Sequence, residues 1–176
     1  MAFDLQPVLR GELVLIRPLQ AADHAALYAV ACDPMIWDQH PAKERATPQG
    51  FAQFFRESLA SGGALVVSDA ANDRIIGATR FHGYSDCRSE IEIGWTFLAR
   101  SHWGGRYNFE LKQLLLRHAF RFVRHVIFLV DPGNLRSQRA MEKIGGIRDG
   151  TRPNAAGRQS VVFRISAGSE PGRAPR

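Results

Sequence analysis

The chain has 176 residues, 45% hydrophobic and 23% charged, values that suit one globular domain able to bury its own core. Its longest apolar runs, residues 13–16 and 126–130, fall far short of the roughly 20 residues that a membrane helix needs, and its two cysteines offer neither a disulfide framework nor metal-ligand spacing. No membrane and no metal are therefore expected, and the absence of a basic-then-apolar leader pattern makes the cytoplasm the expected location.

The net charge of +6 is unevenly placed. Residues 1–98 carry 8 Lys+Arg against 12 Asp+Glu, a balance of −4, whereas residues 99–176 carry 15 against 5, a balance of +10. A positive half suits a nucleic acid, an anionic surface or a phosphorylated cofactor, with solvated surface charge as the plain alternative.

In chain order, residues 12–18 alternate and read as a strand. Residues 21–32 read as a helix with Asp23 in its first turn. Residues 37–47 are polar and irregular, punctuated by Pro34, Pro41 and Pro48. Thr47-Pro48 reads as an N-cap followed by a proline at the first helical position. That helix should reach about Ala60, with Phe51, Phe54, Phe55 and Leu59 on one side, and stop at Gly62-Gly63. An antiparallel meander follows: residues 64–68, a turn at 69–73, residues 74–82, a second turn at 83–88, and residues 90–98. In the last of these, Ile91, Ile93, Trp95 and Phe97 alternate with Glu90, Glu92, Gly94 and Thr96, so the two acids, Gly94 and Thr96 should share a face. Residues 105–124 then read as a long, largely buried helix and residues 126–131 as a central strand. Residues 134–144 read as a helix ended by Gly145-Gly146. A turn-rich stretch precedes a final strand at 161–165. Residues 1–166 should form one domain, and residues 167–176 a disordered tail.

The densest chemistry lies where the strand ending at Leu98 feeds a glycine-containing loop and then a helix N-terminus, over residues 99–108. Unpaired N–H groups and the positive end of the helix dipole suit a pyrophosphate there, and Gly104 and Gly105 allow close approach to the backbone. Neither a Walker loop nor a dinucleotide fingerprint is present. A tight turn without a ligand would also fit the two glycines alone.

Several motifs in one order resemble the Gcn5-related N-acetyltransferase superfamily, and most nearly its branch acting on ribosomal-protein N-termini. The resemblance spans residues 10–165. It rests on Leu15-Ile16-Arg17-Pro18-Leu19, Glu92-Ile93-Gly94-Trp95, Trp103-Gly104-Gly105-Arg106-Tyr107, and Asn134-Leu135-Arg136-Ser137 followed by Met141-Glu142-Lys143-Ile144-Gly145-Gly146. It implies an α+β fold: a mixed, mostly antiparallel sheet with splayed fourth and fifth strands and helices on both faces. It implies acetyl-CoA as acyl donor and an amine as acceptor. The pantetheine arm would lie in the V-shaped gap, paired with backbone near Phe97 and Leu98. Backbone N–H groups from Trp103 to Asn108, including those of Gly104, Gly105, Arg106 and Tyr107, would hold the pyrophosphate. Asn134 would bond the pantetheine, and Arg100, Arg106 and Arg139 would reach phosphates. Arg106 departs from the family's small residue and is expected to swing out as a clamp. A homodimer is compatible with this reading.

The implied chemistry is direct aminolysis of a thioester. Glu92 is the candidate base, alone or through water, with a solvated or ion-paired acid as the alternative. The family's usual tyrosine acid falls at Met141, which cannot donate, so Ser137 is the candidate partner of the leaving thiolate. His40, His82 and His102, with Trp37, Phe81 and Trp95, are candidates for the acceptor wall or for ordinary packing. Two other classes compete. A non-catalytic acyl-CoA-binding domain would keep the cofactor residues without turnover. A nucleic-acid binder would rest on the basic half alone, which lacks clustered Lys/Arg runs, aromatic RNA motifs and zinc spacing.

Overall fold

The computed structural model describes residues 2–169. Eight strands form one sheet: β1 (Leu9–Arg10), β2 (Val14–Pro18), β3 (Ala64–Asp69), β4 (Ile75–Ser85), β5 (Glu90–Leu98), β6 (His125–Val130), β7 (Ile147–Pro153) and β8 (Gln159–Ser166). Their order is β1-β2-β3-β4-β5-β6-β8-β7, and only β5 and β6 run parallel. The helices are α1 (His24–Ala31), α2 (Pro48–Ala60), α3 (Arg106–Ala119) and α4 (Leu135–Lys143). None is long and apolar enough to cross a membrane among the described residues. The expected mixed sheet with helices on both faces is the fold observed.

Two apolar cores sit on opposite faces. Leu111 and Leu115 of α3 and Met141 of α4 pack on Ile91, Ile93, Val126 and Phe128. Leu27 of α1 and Phe51, Phe54 and Phe55 of α2 pack with Trp37 on Val66, Ala78 and Phe97. The caps follow the sequence rules. The Thr47 hydroxyl accepts from the Gly50 N–H at 3.2 Å, with Pro48 at the first helical position. Asn134 caps α4 by accepting from the Ser137 N–H at 3.0 Å.

Two carboxylates fasten the sheet, Glu110 half-buried and Glu90 buried. Glu110 on α3 accepts from the N–H groups of Glu12, Leu13 and Val14 at 2.8–2.9 Å. Gly11 makes this possible, because a Cβ there would overlap the carboxylate. Glu90, with its side chain 3% exposed, meets Arg152 at 2.6 Å, Arg164 at 3.1 Å and Arg88 at 3.4 Å. It ties β5 to the β7–β8 hairpin across β6.

The parting of β5 from β6 follows from one residue. Three pairs join these strands, Glu90–His125, Ile91–Val126 and Glu92–Ile127, and pairing ends there. On the other edge of β5, Ala78 pairs Phe97 and Arg80 pairs Gly94, so β5 carries one residue more than β4 across this step. This is a bulge, and Trp95 sits in it at φ +52, a conformation uncommon outside glycine. The bulge reverses the faces beyond it. Ile93 and Leu98 lie in the α3-side core, whereas Phe97 lies in the other. The expected shared face of Glu90, Glu92, Gly94 and Thr96 is therefore corrected: Thr96 turns towards α3, where its hydroxyl meets Lys112.

Other boundaries differ from the sequence reading. The helix expected over 105–124 ends at Ala119, and its last residues form the turn that leads into β6. The stretch before the final strand contains β7, an edge strand with six of its seven residues exposed, so no apolar alternation marks it. Strand β4 continues to Ser85, and the short β1 adds a strand before the one expected first. The family's fourth and fifth strands are thus β5 and β6. Of the expected tail, Ala167–Ser169 continue as a turn, and residues 170–176 lie outside the described residues.

Burial pushes the Glu90 carboxyl up, but Arg152, Arg164 and Arg88 outweigh it and hold it below the ordinary carboxylate value. Its stabilisation is therefore present above the unfolded carboxylate pKa and lost as pH falls through the folded one. Glu90→Gln should lower unfolding stability at pH 7 by about 3–5 kcal/mol, as removal of one partner of a buried ion pair does. Urea denaturation at pH 7 measures this, and the deficit should shrink in acid.

Candidate active site

The gap between β5 and β6 opens into two joined cavities. The larger, of about 840 Å³, runs from Phe97 and Leu98 along the loop of Trp103, Gly104 and Gly105 to Asn108, and is walled opposite by Asn134, Ser137 and Arg139 of the α4 segment. The smaller, of about 120 Å³, passes through the sheet beneath it. Gly94, Trp95 and Thr96 form one side, Phe128 to Asp131 the other, Lys112 and Met141 one end, and Trp37, His40 and Arg45 the opposite end. Trp37, His40, Thr96, Asn134 and Ser137 line both cavities and so mark their junction.

At the mouth, Gly104 and Gly105 have φ of +102 and +120, which other residues rarely adopt. They turn the chain so that α3 begins at the cleft. No side chain caps Gly105, so the first N–H groups of α3 stay available to an anion, at the positive end of the dipole. Opposite, Asn134 commits its Oδ1 to capping α4 and keeps its amide N–H groups for a ligand. Arg136 bridges the two walls. Its guanidinium lies 4.3 Å from the Trp103 ring centre, and donates to Asp38 at 3.0 Å and to the Ile36 carbonyl at 2.9 Å.

The candidates named from sequence divide by place. Phe97, Leu98, Trp103, Gly104, Gly105, Asn108, Asn134, Ser137 and Arg139 come together around the larger cavity. Arg100, Arg106 and Tyr107 do not line it. Arg100 is drawn into an ion pair with Asp33, and the Tyr107 hydroxyl donates to Asp69 at 3.3 Å. The Arg106 side chain is exposed at the start of α3, where only its backbone remains near the loop. Among the aromatics, Trp37 and Trp95 wall the smaller cavity, whereas Phe81 is 1% exposed and lies in the core against Phe3. His40 lines both cavities, and burial beside Arg45 lowers it to about 4, so its ring is neutral at neutral pH. His82 stacks edge-on against Trp95 at 5.2 Å. His102 lines the larger cavity and its ring faces Asp69 at 3.4 Å.

The two neighbouring acids of β5 have opposite settings. Glu90 is neutralised by arginines. Glu92 has no hydrogen bond or ion pair among the described residues. Its carboxylate rests against Gly94, where a Cβ would lie 3.1 Å from Oε1. Burial raises it to about 7, against the pull of Arg80 and Arg152 and with a push from Glu90. Glu92 itself lines neither cavity, but it rests against Gly94, which lines the smaller one, and a carboxyl held near neutrality there is suited to accept a proton. Arg80 is itself buried, donating to the Ser58 hydroxyl at 2.6 Å and lying 4.3 Å from the Trp95 ring centre.

Two residues of this site escaped the sequence reading. Arg136 stood inside a recognised motif without an assigned role. Lys112 is 2% exposed and donates to the Thr96 hydroxyl at 2.7 Å. Its signal was present: it shares the buried stripe of α3 with Leu115, Leu116 and Ala119, where a lysine has no packing reason to be.

Known proteins share the family and the fold. Residues 14–147 match the family model described as the acetyltransferase (GNAT) domain. No curated protein matches the chain. Among solved structures, an acetyltransferase from Agrobacterium tumefaciens is 26% identical, covering 94% of this chain and 96% of its own, at a TM-score of 0.70. A GCN5-related N-acetyltransferase from Brucella melitensis shares the fold at TM-score 0.80 and 19% identity, over 92% of this chain and 79% of its own. Mycobacterium smegmatis RimJ, in complex with CoA-disulfide, does so at 0.64 and 19%, over 92% and 87%.

The opposed settings of the two acids should be visible directly. In a carbon-13 NMR titration, Glu92 should titrate near 7 and Glu90 below the ordinary carboxylate range. The raised Glu92 pKa also means that its ionisation opposes folding as pH rises through that value. Glu92→Gln should therefore melt no lower than the unmodified protein at pH 8, as a thermal melt would record.

With the fold, the cleft and the match over residues 14–147 in agreement, the chain belongs to the GNAT acetyltransferase family, whose acyl donor is acetyl-CoA.

Proposed function

We propose that the protein transfers the acetyl group of acetyl-CoA to a primary amine, on a small molecule or a protein N-terminus, by direct attack within a ternary complex. One observation carries this reading: the larger cavity joins, at Thr96, Asn134 and Ser137 together with Trp37 and His40, a passage through the sheet whose lining residue Gly94 is backed by the unpaired carboxyl of Glu92, held near neutrality. Pyrophosphate fits the N-terminus of α3, and the basic balance of residues 99–176 favours it. The free backbone edge of β5 beyond Glu92 offers the pantetheine amides the partners that a further strand would take. The CoA-disulfide bound by the M. smegmatis relative supports a CoA ligand.

On this reading the acceptor enters from the side of Trp37, His40 and Arg45. Glu92 removes the proton from the ammonium, directly or through water. The freed amine nitrogen attacks the thioester carbonyl, the C–S bond breaks, and the second nitrogen proton passes through the Ser137 hydroxyl to the thiolate, which leaves as the thiol. Ser137 takes this place because Met141, which lines the same cavity, has no proton to give. Met141 also supports a second reading, an acyl-CoA-binding domain without turnover.

Acetyl-CoA at 100 times its dissociation constant should stabilise the protein by about 2.7 kcal/mol, a rise of about 5–10 °C in melting temperature. A nucleic-acid duplex should not. Thiol release should then appear with members of a panel of peptide N-termini, polyamines and amino acids. Glu92→Gln should lower kcat by about 10²–10⁴-fold, and Ser137→Ala by about 10–100-fold, the value of one hydrogen bond to a charged group. Stabilisation without thiol release from any amine would favour the binding domain. No stabilisation would reject both.

A further inference from the structure

The structure assigns a further catalytic residue: we propose that Lys112 donates a hydrogen bond from Nζ to the thioester carbonyl oxygen and holds the oxyanion that forms there. This rests on the acetyl-CoA reading above. Lys112 lies on α3 at the inner end of the passage where β5 and β6 part. Its only hydrogen bond among the described residues is to Thr96, 2.7 Å away, and Thr96 lines both cavities. An ammonium has three donors, so two remain for the cavity.

Stability gives no reason for a lysine here. The side chain is 2% exposed and forms no ion pair among the described residues. Phe128, 5.1 Å from Nζ to ring centre, offers a cation–π contact, which returns only part of the hydration lost on burying an ammonium. A leucine or methionine would pack against the same neighbours without desolvating a charge. The other ionisable groups around the cavity are Arg45 and His40, before α2, and Asp131 at the end of β6, while α4 presents Ser137 and Met141. Negative charge developing in the passage is what this cation lacks.

The step balances without a further reactant. As the amine nitrogen bonds to carbon, the carbonyl π pair moves to oxygen and is held by Nζ. The pair returns as the C–S bond breaks, and the thiolate departs beside Ser137. Glu92 takes the first proton, from the ammonium, the second nitrogen proton passes through the Ser137 hydroxyl to the departing sulfur, and Lys112 keeps its own throughout. A donor aimed at the oxyanion in a water-poor site is worth about 10²–10³ in kcat.

The test uses the full chain, Lys112→Met and, as a second variant, Lys112→Gln. Three readouts separate catalysis from structure. The variants should melt no lower than the unmodified protein. Their kcat, with the panel amine turned over fastest, should fall about 10²–10³-fold while acetyl-CoA affinity by calorimetry holds. The carbonyl resonance of bound [1-13C]acetyl-CoA should lie downfield of the free thioester in the unmodified protein and move back in the variants. Burial lowers Lys112 to about 7, so activity should also fall as pH rises above that value, and Lys112→Met should lack this limb. Unchanged kcat, an unmoved resonance, or a loss of activity no greater than the loss of folded protein would overturn the role of Lys112. Failure of the unmodified protein to bind acetyl-CoA would overturn the role together with the reading beneath it.

Discussion

One bulge organises this molecule. A strand that kept its register through Trp95 would go on pairing with β6, and the sheet would close. With an extra residue on β5 and Trp95 at φ +52, pairing stops after Glu92–Ile127 and the strands diverge. A non-glycine residue in that region is held there at a cost of about 1–3 kcal/mol, and the surroundings must over-determine it. They do: Arg80 covers one face of the indole, His82 meets its edge, and the Thr79 and Thr96 hydroxyls bond to each other at 2.9 Å across the bulge. The opening exposes backbone to a ligand and brings residues from both faces of the sheet to one passage.

That passage gathers charges that a closed core would exclude. Arg45 and Lys112 line it and Arg80 lies behind its Trp95 wall, all substantially buried, and burial pulls Arg45 to about 10 and Lys112 to about 7. Glu92 is pushed the other way for the same reason. Glu90, two residues earlier, shows the alternative outcome, because three arginines satisfy it and leave it a fastener between strands. The contrast between these two acids comes from their neighbours and not from their residue type or their strand.

Much of the frame was legible from local rules. Thr47-Pro48 marked the start of α2, the alternation of 90–98 marked β5, and the change of period after Leu98 marked α3. The loop glycines announced the helix N-terminus that the cleft uses. β7 left no trace because its residues face water. The bulge was hidden for another reason: Trp95 and Phe97 extend the apolar alternation of Ile91 and Ile93 in the sequence, while the backbone turns them to the other face. Reading past it placed Thr96 beside Glu92. Arg100 was read from the resemblance as a phosphate partner, and its long-range partner Asp33 draws the guanidinium elsewhere; Tyr107 was read for its backbone N–H, and its hydroxyl is taken up by Asp69, likewise far off in the chain. Such partners lie tens of residues away and carry no local signal.

Amide hydrogen exchange with and without acetyl-CoA tests most directly whether the gap made by this bulge is where the acyl donor lies. The amides of residues 96–98 on β5 and 105–108 at the start of α3 should slow when acetyl-CoA is added, together with those around Asn134. Protection confined to another surface, with these amides unchanged at saturating acetyl-CoA, would contradict it.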